Sequence, residues 1–189
     1  MSTVAKHPLF VVLFVALLAV SLALGGGCRG GNYGHARTYE PLLSEKPYMD
    51  RAQDLGYEQV KRTPYDYKST LLAWFGVVQR IDPLPDGRSQ LRVGFRVHQA
   101  RHLCKDEYQD SCRVTVSEST VGDFVARVRL SAAEIDGSDR VWVGSLLKLY
   151  GTPTGDYDEH GNPVLEVSYH RHWPRGRYVT TAQRGAMKR

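Results

Sequence analysis

The chain has 189 residues, 42% hydrophobic and 24% charged, with a formal net charge of +5 and a pI near 9.2. That length accommodates one domain with a real core and a tail. The charge does not mark a nucleic-acid binder. Six basic residues and no acid follow His170 (Arg171, Arg175, Arg177, Arg184, Lys188, Arg189), and residues 28–169 carry 18 basic side chains against 20 acidic ones, so the body is near neutral. A polyanion groove would need its charge on the fold itself.

Lys6 is the only formally charged side chain before Arg29, and it precedes an apolar run from Leu9 to Leu24. A positive n-region followed by an apolar h-region is the pattern of an export signal. The run falls short of the roughly 20 residues a membrane-spanning helix needs. The glycines at 25–27 weaken a helix further, by about 1 kcal/mol each relative to alanine. Leu24-Gly-Gly-Gly-Cys28 resembles the lipobox of bacterial lipoproteins. The resemblance implies cleavage between Gly27 and Cys28, lipid on Cys28 and a membrane as partner. The same residues also fit ordinary cleavage after Gly25 (Ala23-Leu-Gly25) or an uncleaved anchor. Parity favours lipid: of the three cysteines, lipid on Cys28 leaves Cys104 and Cys112 to pair in an oxidising compartment. Arg29, rather than an aspartate, beside the cysteine fits sorting to the outer membrane.

After the signal (1–27), residues 28–68 read as a lipid anchor and partly structured tether. Gly30, Gly31 and Gly34 loosen it, and Pro41, Pro47 and Pro64 interrupt any long helix. Tyr48 to Leu55 is expected to form one or two helical turns ending at Gly56 as C-cap. Tyr33, Tyr39, Tyr48, Tyr57, Tyr65 and Tyr67 either pack on the domain or offer an aromatic surface to a glycan or protein. From Leu71 the pattern changes to period two with β-branched and aromatic residues. Strands are expected at Leu71–Ile81, Ser89–His98, Arg113–Glu118, Gly122–Leu130, Arg140–Tyr150 and Val164–Tyr169, with one helical turn at Ser131–Ile135 capped by the serine. Leu91, Val93, Phe95 and Val97 share one strand face, as do Phe124, Ala126, Val128 and Leu130. Gly76 suits a bend or bulge. Residues 176–189 read as a basic tail.

Five or six short strands with one helical turn and no long helix indicate an all-β domain at 69–175, a small antiparallel OB-like barrel. Leu72-Ala-Trp-Phe-Gly-Val-Val78, Gly122-Asp-Phe-Val-Ala126, Leu149-Tyr-Gly151 and Val167-Ser-Tyr-His-Arg-His-Trp173 resemble the starvation-inducible Slp family of bacterial outer-membrane lipoproteins, which also carry a small OB-like domain after a lipobox. Where that family has a proline- and aspartate-containing segment before the fourth strand, Glu134-Ile-Asp-Gly-Ser138 stands here. The family brings no catalytic residues to carry over.

Cys104 and Cys112 flank a polar loop, and a disulfide there contributes roughly 2–3 kcal/mol by the chain-entropy estimate. His98 with His102, and His170 with His172, are the histidine pairs; no third metal ligand follows from spacing, and no cofactor is expected. Arg92 and Arg96 share the outward face of the second strand, and Arg127 and Arg129 that of its expected neighbour. In OB folds this face commonly binds ligands, so the four arginines are candidates for an anionic glycan, a lipid headgroup or, less well supported, single-stranded nucleic acid. The alternative is a solvated face with cross-strand ion pairs. Asp156, Asp158 and Glu159 read as a solvated hairpin tip. No catalytic motif is present, so the chain is expected to be non-enzymatic.

Overall fold

A computed structural model describes residues 37–104 and 112–185. Cys28 and the expected signal lie outside them. Seven strands form among the described residues: β1 (Leu72–Pro83), β2 (Ser89–Arg96), β3 (Val114–Val116), β4 (Asp123–Val128), β5 (Leu146–Tyr157), β6 (Pro163–Trp173) and β7 (Tyr178–Thr180). Within the same residues three short α-helices accompany them, α1 (Lys46–Met49), α2 (Tyr57–Arg62) and α3 (Ala132–Asp136), with 3-10 turns at Pro64–Tyr67 and Thr181–Gly185. Among the described residues no helix is long and apolar enough to cross a membrane.

Five strands close into a ring in the order β1-β2-β4-β6-β5. Period-two burial drives closure. Leu72, Trp74 and Val78 of β1 meet Leu91 and Val93 of β2, Phe124, Ala126 and Val128 of β4, Leu147 and Leu149 of β5 and Leu165 of β6 in one core. Four seams of the ring are antiparallel, but β4 pairs with β6 in parallel. The all-antiparallel expectation fails at that seam for a topological reason. The chain crosses one end of the ring between β4 and β5, so β5 pairs with β1, and its hairpin partner β6 fills the gap beside β4. The crossing segment contains α3, whose start matches the expected serine cap. Ser131 Oγ accepts from Glu134 N at 3.3 Å while the Glu134 carboxylate accepts from Ser131 N at 2.9 Å. The same Glu134 carboxylate lies 2.6 Å from His170 Nε2, fastening the helix to β6.

Other expectations are corrected. The strand expected at Arg113–Glu118 is β3, and it lies outside the ring, pairing in parallel with β7. The fourth expected strand is therefore the third of the ring. The start expected at Arg140 moves to Leu146, because Gly144, at φ 94°, turns the chain there and its N–H donates to Val78 O. Part of the basic tail is β7. Phe75, Val114, Val116 and Leu146 form a second cluster with Tyr39 and Trp173, so the β3–β7 pair lies against the outside of the ring. The Cys104–Cys112 disulfide is formed and joins the arm after β2 to the start of β3.

Residues 37–68, read as a tether, pack on the ring. The helix expected at Tyr48–Leu55 is displaced: α1 ends at Met49, and Gln53 N donates to Leu71 O at 2.8 Å, holding that stretch extended beside β1. Gly56 is the N-cap of α2, not a C-cap. Tyr57 and Val60 of α2 enter the barrel core, and Tyr57 Oη donates to Asp123 O at 2.8 Å.

Gly76 lies in regular pairing; the β1 irregularity falls between Val78 and Arg80. What the glycine provides is room, since a Cβ there would sit 2.3 Å from Val93 Cγ1 and 3.0 Å from the Gly94 carbonyl. Gly76→Ala is expected to destabilise the fold by about 1–3 kcal/mol through overpacking, measured as a lower urea midpoint at unchanged slope.

Candidate functional site

β2 and β4 are neighbours as expected, with Arg92 opposite Val125 and Gln90 opposite Arg127. The four arginines nevertheless do not form one basic patch. An Arg96 Nη donates to the main-chain carbonyls of Ser117, at 3.1 Å, and Glu118, which ties it to the next loop. Arg127 donates to Glu166 at 3.3 Å, and Arg88 donates to the same carboxylate. Arg129 lies past the end of β4, near the Gly87 turn. Arg92 borders a recess with Arg80 and Arg127, but Asp82, Asp156, Asp158 and Glu159 share it. This is a charge-balanced outer face. Asp158 also accepts from His160 N, Asn162 N and Asn162 Nδ2, which shapes the β5–β6 hairpin tip.

The histidine pairs are absorbed by packing. His98 stacks on Phe75 with ring centroids 4.4 Å apart, and burial pushes its pKa down to about 4, with His102 and Lys148 adding to the effect. His172 Nε2 lies 3.1 Å from Ser145 Oγ. Among the described residues no cluster of three or more metal-ligating side chains occurs.

The charged centre of the described structure is a residue the sequence did not single out. Glu45 is 0% exposed, in the turn before α1. Its carboxylate accepts from Tyr39 Oη at 2.7 and 2.8 Å, Lys148 Nζ at 2.8 Å, Tyr150 Oη at 2.7 Å, Leu42 N at 3.1 Å and an Arg171 Nη at 3.3 Å. Burial alone would push this carboxyl up. The hydrogen bonds from Lys148, Tyr39 and Tyr150 outweigh it and hold the pKa at about 2. Burial, with Glu45 as acceptor, drives Tyr39 and Tyr150 far above the ordinary phenol range, so both remain donors. Burial also pulls Lys148 down, opposed by its bond to Glu45. Its ammonium sits 4.1 Å from the Tyr39 ring centre and 5.0 Å from that of Tyr150.

Beside this network opens a cleft of about 450 Å³. Arg37, Thr38 and Glu40 border it from the segment before α1, His102 from the arm after β2, Arg113 from just before β3, Val114 from β3, and Arg171, Trp173 and Arg177 from β6 and the turn beyond. The Arg171 guanidinium lies 4.8 Å from the Trp173 ring centre and 5.3 Å from that of Tyr39, and an Arg171 Nη also donates to Glu40 O at 3.0 Å. Arg177, assigned to the basic tail, thus belongs to the fold and borders the cleft with Arg37 and Arg171. Glu40 is the cleft's single bordering acid among the described residues.

No family model matches the chain, and a search of curated proteins finds no similar sequence.

One signal did point to the network. Leu146-Leu-Lys-Leu-Tyr150 sets a lysine in a strand apolar on both faces, which asks for a buried anion. Nothing local identifies that anion as Glu45, 103 residues earlier.

Because the Glu45 carboxyl titrates at about 2 in the fold against an ordinary 4.5, its contribution is present above about pH 4.5 and is lost as pH falls toward 2. Glu45→Gln is expected to cost about 3–5 kcal/mol near neutral pH, as when one partner of a buried ion pair is removed. The gap between wild type and variant should narrow across pH 4.5 to 2, read by urea unfolding at each pH.

Proposed function

We propose that the chain is an exported, lipid-anchored protein of the bacterial outer membrane, whose barrel is a non-catalytic structural or interaction module. The observation that carries export is the Cys104–Cys112 disulfide. A structural disulfide belongs to an oxidising compartment, and this inference does not use the first 28 residues. With those two cysteines paired, Cys28 is the remaining cysteine and stands where the lipobox-like Leu24–Cys28 places lipid. Several acyl chains would make anchoring stable, where a single chain is marginal. The Slp-like motifs point to the same envelope location.

The OB-type reading of the barrel is part of this proposal. It is supported by the ring order, the one parallel seam between β4 and β6 and the helix between β4 and β5. The Arg92–Arg127 face shares its recess with Asp82, Asp156, Asp158 and Glu159, which gives an anionic ligand no particular footing there, so we propose the interaction role for another surface of the module.

Intact mass and membrane fractionation of wild type beside Cys28→Ala test the address. Wild type is expected to lose its first 27 residues, gain acyl mass and sediment with membranes, while the variant does neither. Soluble wild type cut after Gly25 would replace this reading with a secreted protein bearing a free thiol.

A further inference from the structure

We propose that the cleft between Arg37, Arg171 and Arg177 binds a phosphate monoester carried on a small polyol, either a sugar or a glycerol headgroup. The inference rests on the folded domain and holds whether or not Cys28 is lipidated.

The first argument is charge. Glu45 is one carboxylate shared between two cations, Lys148 and Arg171. Its neighbourhood therefore keeps a positive surplus, and that surplus borders the cleft through Arg171. Arg37 and Arg177, both exposed, make no ion pair with any described residue, and the one bordering acid is Glu40. On the outer face Arg80 pairs with Asp82, Arg88 with Asp86 and Glu166, and Arg127 with Glu166, while Arg92 shares its recess with four acids. Two exposed arginines without an ion pair among the described residues, Arg37 and Arg177, thus border the same cleft as Arg171.

The second argument is pre-organisation. Arg171 is held by Tyr39 Oη at 3.1 Å, Glu40 O and Glu45 through one terminal nitrogen. Its Nε and other terminal nitrogen have no acceptor among the described residues, and these two form one edge of the guanidinium fork. A guanidinium fixed on one side and unsatisfied on the other is suited to accept a bidentate anion.

Geometry then selects the ligand class. Arg37 comes from the N-terminal segment, Arg171 from β6 and Arg177 from the turn before β7, so the donors approach from separate elements. A carboxylate offers two oxygens; a terminal phosphate offers three and carries nearly two charges near neutral pH. Val114, Trp173 and Pro174 add apolar surface beside the arginines, enough for the carbon face of a sugar or glycerol. A cleft of about 450 Å³ admits a ligand of that size.

The test is calorimetric titration of the full chain, in detergent at low salt, with glucose 6-phosphate and with glycerol 3-phosphate. Glucose and glycerol serve as uncharged controls. At least one phosphate is expected to bind while its control does not; the tighter of the two identifies a sugar phosphate or a lipid headgroup as the source. Arg37 and Arg177 are exposed and unpaired, so R37A/R177A should fold normally, checked by its thermal melt, and bind about tenfold or more weakly, as expected for lost charge-assisted hydrogen bonds. R80A/R92A on the outer face should bind as wild type. Failure of both phosphates to bind, equal binding of the uncharged controls, or an unchanged affinity in R37A/R177A would each overturn the proposal.

Discussion

A buried carboxylate must be satisfied or it will not stay buried. Glu45 meets that requirement by gathering two tyrosines, a lysine, an arginine and a main-chain amide from three parts of the chain. The consequence is architectural. Lys148 and Tyr150 are outward-facing residues of β5, and Arg171 belongs to β6, so one side chain from the N-terminal segment clamps two adjacent strands of the ring. Tyr39, brought in by the same carboxylate, then packs edge-on against Phe75 and Trp173, with ring centres 5.8 and 6.2 Å away. That aromatic contact lies in the cluster that receives the β3–β7 pair.

The arrangement also separates the two sides of the barrel. Around β5 and β6 the outer face is covered by residues 37–50 and by β3 and β7, and under that cover Tyr39, Lys148, Tyr150 and Arg171 are bonded to Glu45, while His98 Nε2 and His102 Nε2 are buried without a hydrogen-bond partner among the described residues. Around β2 and β4 the outer face is open, with Arg127 paired across to Glu166 of β6 and Arg92 sharing a recess with acidic side chains. Surplus positive charge therefore appears at the border of the covered side, where the Glu45 network ends and the cleft begins. An ion-pair network built to hold a segment in place thereby sets the electrostatics of the neighbouring opening.

Much of the ring was legible. β2 and β4 each bury one face, so Leu91, Val93 and Phe95, and Phe124, Ala126 and Val128, announce themselves by alternation. Ser131 with Glu134 announces α3, and two cysteines around a short polar loop announce the disulfide. The failures have a common cause: they depend on partners far away in sequence. β5 is apolar on both faces because the N-terminal segment covers its outside, so its lower boundary at Leu146 is blurred by Val141 to Val143. β3 and β7 have three residues each and exist as a pair only because Phe75 and Leu146 offer them a surface. Residues 37–68 looked like a tether because their prolines and tyrosines carry no period; their order comes from Glu45, Tyr57 and Val60, each buried against the barrel. Arg96 looked available because its acceptors are main-chain carbonyls, which no side-chain pattern records.

Native-state hydrogen exchange on the full chain addresses this account directly, with the amides of Glu45, Gln53 and Val60 as reporters. All three donate to main-chain carbonyls within the covering segment or from it to Leu71. If Glu45 makes that segment part of the fold, these amides exchange with protection comparable to the β1 and β5 strands, and Glu45→Gln lowers theirs far more than that of β2 and β4. Exchange of residues 40–62 at free-peptide rates around a protected barrel would contradict it, and the segment would be the tether its composition suggests.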